Sequence, residues 1–423
     1  MQPETKKHHF VPRSLLRYFS VGAAGDFIYV IDKRSGKSFR TSLMNAGSQN
    51  AFNTLEFESH VWNFEPIFGD VDGRLATLLR QIHQDQNAAM LSPDDRLGWA
   101  DMVAVQLVRT PLARMTITQS ATDLVAAIEE GFGTSVDLPI PTDNDARAST
   151  VQMFQERDDF RTALEGKDFV IFRAVGSTRF LISDHPVVRQ SSVPYGDSGL
   201  NSPGVAIYLP LGRDLMLGLL CKSIQFKLNL QPIESLSIPP EAAQRLVALR
   251  EGLRTGQPVG LGDNVVARFN HLLVAGSSRF LYGPEDSFDE VRRTLDRHPG
   301  LREVKSLTKI GRMGSGPGPS CLMPEGQQLV LFGQQSHYMV EVSDWSNDLQ
   351  PFEAHVVDVA TLRHALDDAP FVEMRLFVDK QQLLMKRNVR VDVLDPGPPI
   401  RIQVRHSDPA MDALDAAIRK SSP

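Results

Sequence analysis

A chain of 423 residues with 42% apolar side chains can bury more than one hydrophobic core, which points to two or three globular domains and excludes a disordered chain. The net charge of −6 is mild for that size and excludes a field over the whole molecule that would recruit nucleic acid, leaving only local patches. Cys221 and Cys321 stand a hundred positions apart with no CxxC, and no stretch of about 18 apolar residues occurs, so the expectation is a reduced, cytoplasmic protein that neither spans a membrane nor carries an apolar leader.

The first element opens at KKHHFVPRSLLRYF, residues 6–19. An extended approach to Pro12 puts the side chains of His8 and His9 on opposite sides of the chain, so the pair offers one ligand or one base rather than two ligands for one ion. Residues 1–40 hold eight basic side chains against three acidic ones, the most basic stretch near the histidines. Flanking Lys6, Lys7 and Arg13 favour a neutral imidazole, which suits a general base or a metal ligand. The plainer alternative is a hydrogen-bonded imidazole that anchors the chain.

DFIYVIDKRSGKSFRTSL reads as a β-hairpin, with a strand at 27–31 and a polar turn before Phe39. EPIFGDVDGRLATLLRQIHQ has Ile67, Val71, Leu75, Leu78, Leu79 and Ile82 at helical spacing. The next helix is expected to take Ser92 as its cap and Pro93 as its first residue, and to break or kink at Pro111. In it Trp99, Met102, Gln106 and Arg109 share one face of an otherwise apolar helix. A guanidinium there needs an anion, either an internal carboxylate such as Asp184 or a bound ligand.

A second β region starts near Lys167, where DFVIFRAVGSTRFLISDHPVV reads as two strands joined at Gly176 and Ser177. VAIYLPLGRDLMLGLLC reads as another pair, joined at 212–214. LISDHPVV delivers Asp184 and His185 to a strand end stopped by Pro186, either as chemistry or as a turn whose carboxylate accepts nearby N–H groups. Helices return around Ser237 and after Asp263 as a cap, the second carrying Asn270 and His271 in an apolar run and stopping at Gly276. SRFLYG closes the unit.

IGRMGSGPGPS, residues 310–320, is a linker, and its prolines cannot cradle phosphate. The expected organisation is a main α+β domain over 1–300, a linker over 301–320 and a small α+β module over 321–423 with one helix at 361–368. In the main domain, helices of 66–135 should lie on a mostly antiparallel sheet built from the hairpins near 27–42 and 168–221. There is no GxSxG, HExxH, P-loop or GxGxxG after a strand, so no nucleotide cofactor is indicated.

The succession of HHFVPRSLLRYF, SPDDRLGWADMVAVQLVRTPLAR, FLISDHPVV, IYLPLGRDLMLGLL and FNHLLVAGSSRFLYG resembles the bacterial domain-of-unknown-function family 4238 over roughly residues 6–285. The resemblance rests on His9 to Pro12, Arg109 to Pro111, Ser183 to Pro186, and Asn270, and it brings no activity with it. The opening HH-x-VP is also similar to the start of some HNH nucleases. Here a helical SLLRYF follows at once, and Asn50 or Asn53 would have to fill the second role after the later hairpin.

Two readings are carried forward in detail, with an enzyme of another class left open beside them. The first is a metal-dependent phosphodiesterase or nuclease-like hydrolase with His9, His8 and Asp184 as catalytic groups and a divalent ion held by His9, Asp184 and His185. The alternative is a non-catalytic sensor or binding protein that holds an anionic ligand through Arg109, Gln106, Asn270 and Arg13. The basic amino-terminal segment implies nucleic acid or a nucleotide-like anion as partner, and the carboxyl-terminal module is expected to meet a protein.

Overall fold

The computed structural model describes residues 7–21, 25–132, 139–191, 199–200, 204–230, 233, 240–303, 327–332, 337–342, 352–356, 371–378, 381–395 and 400–406. Contacts divide the chain into two units, one of residues 1–190, 206–220 and 231–310, the other of 191–205, 221–230 and 311–423.

In the first unit the opening histidines lie on β1 (Lys7–His9), followed by the short α1 (Arg13–Leu16). Strands β2 (Phe27–Asp32), β3 (Ser38–Ser42), β4 (Ser48–Asn50), β5 (Thr54–Glu56) and β6 (Val61–Asn63) come next. The alternation on β1 is as the sequence implies, with His8 buried and Lys7 and His9 half-buried. β1 pairs antiparallel with β4, so His8 stands opposite Gln49 and His9 opposite Ser48. Gly47, at φ +57°, ends the turn that leads into β4. Its carbonyl accepts from Phe10 N–H (2.9 Å) and Val11 N–H (3.2 Å), and its own N–H donates to the Tyr282 hydroxyl (3.2 Å).

The helical layer consists of α2 (Gly69–Asp85), α3 (Pro93–Val108), α4 (Pro111–Phe132), α5 (Asp143–Gln155) and α6 (Asp158–Glu165). Ser92 caps α3 as expected, accepting from Asp95 N–H while the Asp95 carboxylate accepts from Ser92 N–H, with Pro93 at the first helical position. Of the two outcomes expected at Pro111, the helix breaks rather than kinks: α3 ends at Val108. Pro111 opens a new one, because a residue without an N–H costs nothing in a first turn.

Two sheets follow instead of the single sheet expected. β7 (Asp168–Ala174), β8 (Ile182–Ser183), β9 (Val188–Ser191), β10 (Val205–Pro210) and β11 (Leu215–Leu220) precede α7 (Lys222–Leu230), α8 (Pro240–Thr255), β12 (Val259–Leu261), α9 (Asp263–Gly276), β13 (Phe280–Gly283) and α10 (Phe288–Arg297). One sheet has the order β12-β7-β11-β10-β9, the other β3-β2-β13-β8. The β10–β11 hairpin forms as read, with Ile207 opposite Leu219, and both its strands are buried on both faces.

β7 and β8 are not a hairpin. After Ala174 the chain follows β12, with Val175 N–H on the Leu261 carbonyl, and then leaves the sheet because Asp263 accepts from Thr178 N–H at 2.6 Å. β8 pairs instead with β13, about a hundred residues later. The same contact overturns Asp263 as the cap of α9: Gly262 occupies that position and the Asp263 side chain serves the 177–178 turn.

In the second unit the described residues of the carboxyl-terminal part form a closed antiparallel barrel of β14 (Gln327–Phe332), β15 (His337–Val342), β16 (Phe352–Val356), β17 (Phe371–Val378), β18 (Gln381–Asp395) and β19 (Ile400–His406). The order is β14-β15-β16-β19-β18-β17. Period-2 alternation accounts for its interior: Val391 faces Val404 across the ladder, and Ile402 and Val404 are fully buried while Gln403 between them is not. The expected helix at 361–368 and the 304–320 part of the linker lie outside the described residues. The protein is α+β, and among the described residues no helix is long and apolar enough to cross a membrane.

Candidate functional site

His9 ends β1 beside the approach to α2. Its backbone N–H donates to Glu65 Oε1 at 3.0 Å. The other Glu65 oxygen accepts from Asn53 Nδ2, and Asn53 N–H donates to His8 Nδ1 at 2.8 Å. The buried Asn53 is held in turn by Arg114, whose Nη2 reaches its Oδ1 at 2.5 Å and whose Nη1 takes the Phe52 carbonyl. The two histidines therefore divide the work. His8 ties the strand to residue 53, while the half-buried His9 turns the other way.

Burial lowers the His9 pKa from its ordinary 6.5, Arg13 and Arg109 push in the same direction, and Glu65 and the Leu43 carbonyl oppose them. The ring is thus neutral at pH 7. Its Nε2 is enclosed, with no hydrogen-bond partner among the described residues.

Arg109, at the end of α3, is wholly buried. Its Nη1 lies 2.9 Å from Asp72 Oδ1, an ion pair rather than an aligned hydrogen bond. The donors of its guanidinium dictate the Gln106 amide orientation: Oε1 accepts from Arg109 Nε (2.5 Å) and Nη2 (2.7 Å), and Nε2 donates to the Phe10 carbonyl (3.2 Å). The guanidinium also lies 5.3 Å from the Phe68 ring centroid. The internal carboxylate is Asp72, on the polar face of α2, and not Asp184. Arg13 is exposed, and its positive charge acts on the His9 ring.

Asp184 belongs to another network. Its two oxygens accept from Ser278 N–H (2.7 Å), Ser278 Oγ (2.6 Å), Arg279 N–H (2.7 Å) and Phe280 N–H (2.8 Å), which fixes the entry to β13. Burial pushes its pKa up against those four bonds. The same burial, with Asp184 opposing, brings Lys33 down to about 8, and Lys33 Nζ donates to the carbonyls of Val274 (3.2 Å) and Ser277 (2.5 Å) at the end of α9. Asn270 is engaged at both ends by backbone, accepting from Leu181 N–H (2.9 Å) and donating to the Arg179 carbonyl (2.8 Å).

His185 Nδ1 meets Thr110 Oγ1 at 2.7 Å. No hydrogen bond or ion pair among the described residues joins His9 to Asp184 or His185. Likewise, no group of three or more His, Cys, Asp or Glu is placed to hold a metal ion among them. The donors explain it: the oxygens of Asp184, Nδ1 of His185 and the oxygens of Glu65 are already engaged within the protein, so the set His9, Asp184 and His185 does not fit a divalent ion.

His185 gives a pH signature of its own. Burial brings its pKa to about 3 from 6.5, so the folded state keeps it neutral while the unfolded chain protonates. The stability this contributes is complete above pH 6.5 and falls with pH toward about 3, by about 1.4 kcal/mol per unit. Urea melts across that window should show wild type steeper than His185→Gln by one proton.

Glu65 and Asp72 were not legible as site residues, although a carboxylate inside the apolar NFEPIF is a usable signal. A family model described as "Protein of unknown function (DUF4238)" matches residues 7–287. No curated protein and no solved structure matches the chain.

Proposed function

The chain belongs to the DUF4238 family of proteins of unknown function, and since that family supplies no activity we propose from geometry that the main domain hydrolyses phosphoesters, as a phosphodiesterase or nuclease-like enzyme with His9 as its acid–base group. The observation that carries this is the His9 ring: neutral at pH 7, half-buried, with an enclosed Nε2 that has no hydrogen-bond partner among the described residues, and with the exposed Arg13 acting on it. Once a shift of its neighbours opens Nε2 to the substrate, it takes a proton from water, whose oxygen attacks phosphorus. The bond from phosphorus to the leaving oxygen breaks, and the imidazolium returns the proton to that oxygen. Arg13 offsets charge on the phosphoryl oxygens. Glu65 holds the His9 backbone and favours the transient imidazolium.

The binding-protein alternative draws less support, because Arg109, Gln106 and Asn270 are each engaged inside the protein.

The test is hydrolysis of bis(p-nitrophenyl) phosphate and of oligonucleotides by wild type and His9→Gln. A loss of about 100-fold or more in kcat with a melting temperature within a few degrees of wild type is expected. Equal rates for the two proteins, or an inactive wild type, would overturn the reading.

A further inference from the structure

The β5–β6 hairpin rises directly from the His9 site. One foot is Asn53, bonded to His8 and Glu65, and at the other Asn63 Oδ1 accepts from Glu65 N–H at 3.0 Å. The hairpin is pinned to α5: Asn144 Oδ1 accepts from Glu56 N–H (2.9 Å), its Nδ2 donates to the Glu56 carbonyl (3.0 Å), and Arg147 Nη1 donates to the Thr54 carbonyl (2.7 Å). On this anchored element Phe57 is 50% exposed, Val61 58% and Trp62 41%. Phe57 stacks on the exposed His60 at 4.7 Å. From Trp62 a series of rings leads back to the site: 5.8 Å to Phe64, 6.4 Å on to Phe68, and Arg109 5.3 Å from the Phe68 centroid.

We propose that Phe57 and Trp62 form an aromatic subsite that stacks the base of a nucleotide whose phosphodiester lies at Arg13 and His9. This rests on the hydrolytic reading and names its substrate class. Charge separates the two ends of the ligand. Glu56 and Glu58 are exposed on the hairpin and repel phosphate, so the rings suit an uncharged base, while the cation stands beside His9. An exposed ring on a held backbone offers a stacking face with little further loss of freedom on binding.

The probes are a thymidine dinucleotide, a thymidine decamer and an abasic decamer. The variants are Phe57→Leu with Trp62→Leu, which keep apolar bulk and remove the ring faces, and His9→Gln. The double variant should raise Kd for the thymidine ligands about tenfold or more while leaving the weak binding of the abasic strand as it was. His9→Gln should bind the decamer within about twofold of wild type and not cleave it. A decamer bound no tighter per base than the dinucleotide identifies a free nucleotide as the ligand, and a tighter one identifies a single strand; both support the subsite.

Equal affinity for abasic and thymidine strands, or a double variant that binds as wild type, overturns it. If His9→Gln loses cleavage while the double ring variant binds as wild type, the subsite fails and the hydrolytic reading stands. If wild type binds through the rings but cleaves nothing, the hydrolytic reading fails and the subsite stands.

Discussion

Asp184→Ala is expected to cost about 3–5 kcal/mol, because it removes the acceptor for four hydrogen bonds and leaves the Lys33 charge buried without its counter-charge. Three of those donors are backbone N–H groups at the entry to β13, the strand that joins β8 to β2. With total stabilities of about 5–15 kcal/mol, such a loss brings the main domain close to unfolding. Asp184→Asn keeps one acceptor oxygen and should fall between. Thermal melts decide it: a shift of only a few degrees for the alanine variant would mean that the network is not what holds β13, and would return Asp184 to the candidate catalytic groups named from sequence.

Arg109→Ala has an effect of similar size from a different cause. It leaves Gln106 Oε1 buried without its donors, strips Asp72 of its ion pair and opens a space against Phe68. A loss of about 3–5 kcal/mol is expected, against about 0.5 kcal/mol or less for Arg80→Ala, which is exposed on α2. Arg109→Lys should not rescue it, since an ammonium cannot fork to the amide oxygen and reach the carboxylate together. Equal small shifts for Arg109→Ala and Arg80→Ala would contradict this account of the helix end.

What the sequence made legible was local. The Ser92 cap, the β10–β11 hairpin and the opposed directions of His8 and His9 each follow from residues within a few positions of one another. What it hid depends on distance along the chain. β8 finds its partner in β13, so the strand pattern of 168–188 reads as one hairpin although the chain crosses between sheets. Lys33, in a turn that reads as solvated, is buried because the end of α9 supplies carbonyls 241 and 244 residues away. The place of Asp184 at a proline-stopped strand end singles it out as a special carboxylate, but backbone N–H groups carry no sequence signature, so its partners stay hidden in the sequence. Asn53 and Glu65 join His8 and His9 only through contacts 45 and 56 residues apart.

The central claim, that His9 is the acid–base group, is tested most directly by the pH dependence of phosphodiester hydrolysis, with folding checked at each pH. For wild type the rate should rise about tenfold per unit to a midpoint below 6.5 and then stay level to about pH 8, because the reactive form is the neutral ring whose pKa burial has lowered. His9→Gln should lack that limb and remain far slower throughout. If the two profiles have the same shape and height, His9 takes no part in the reaction and its ring is an anchor of the fold.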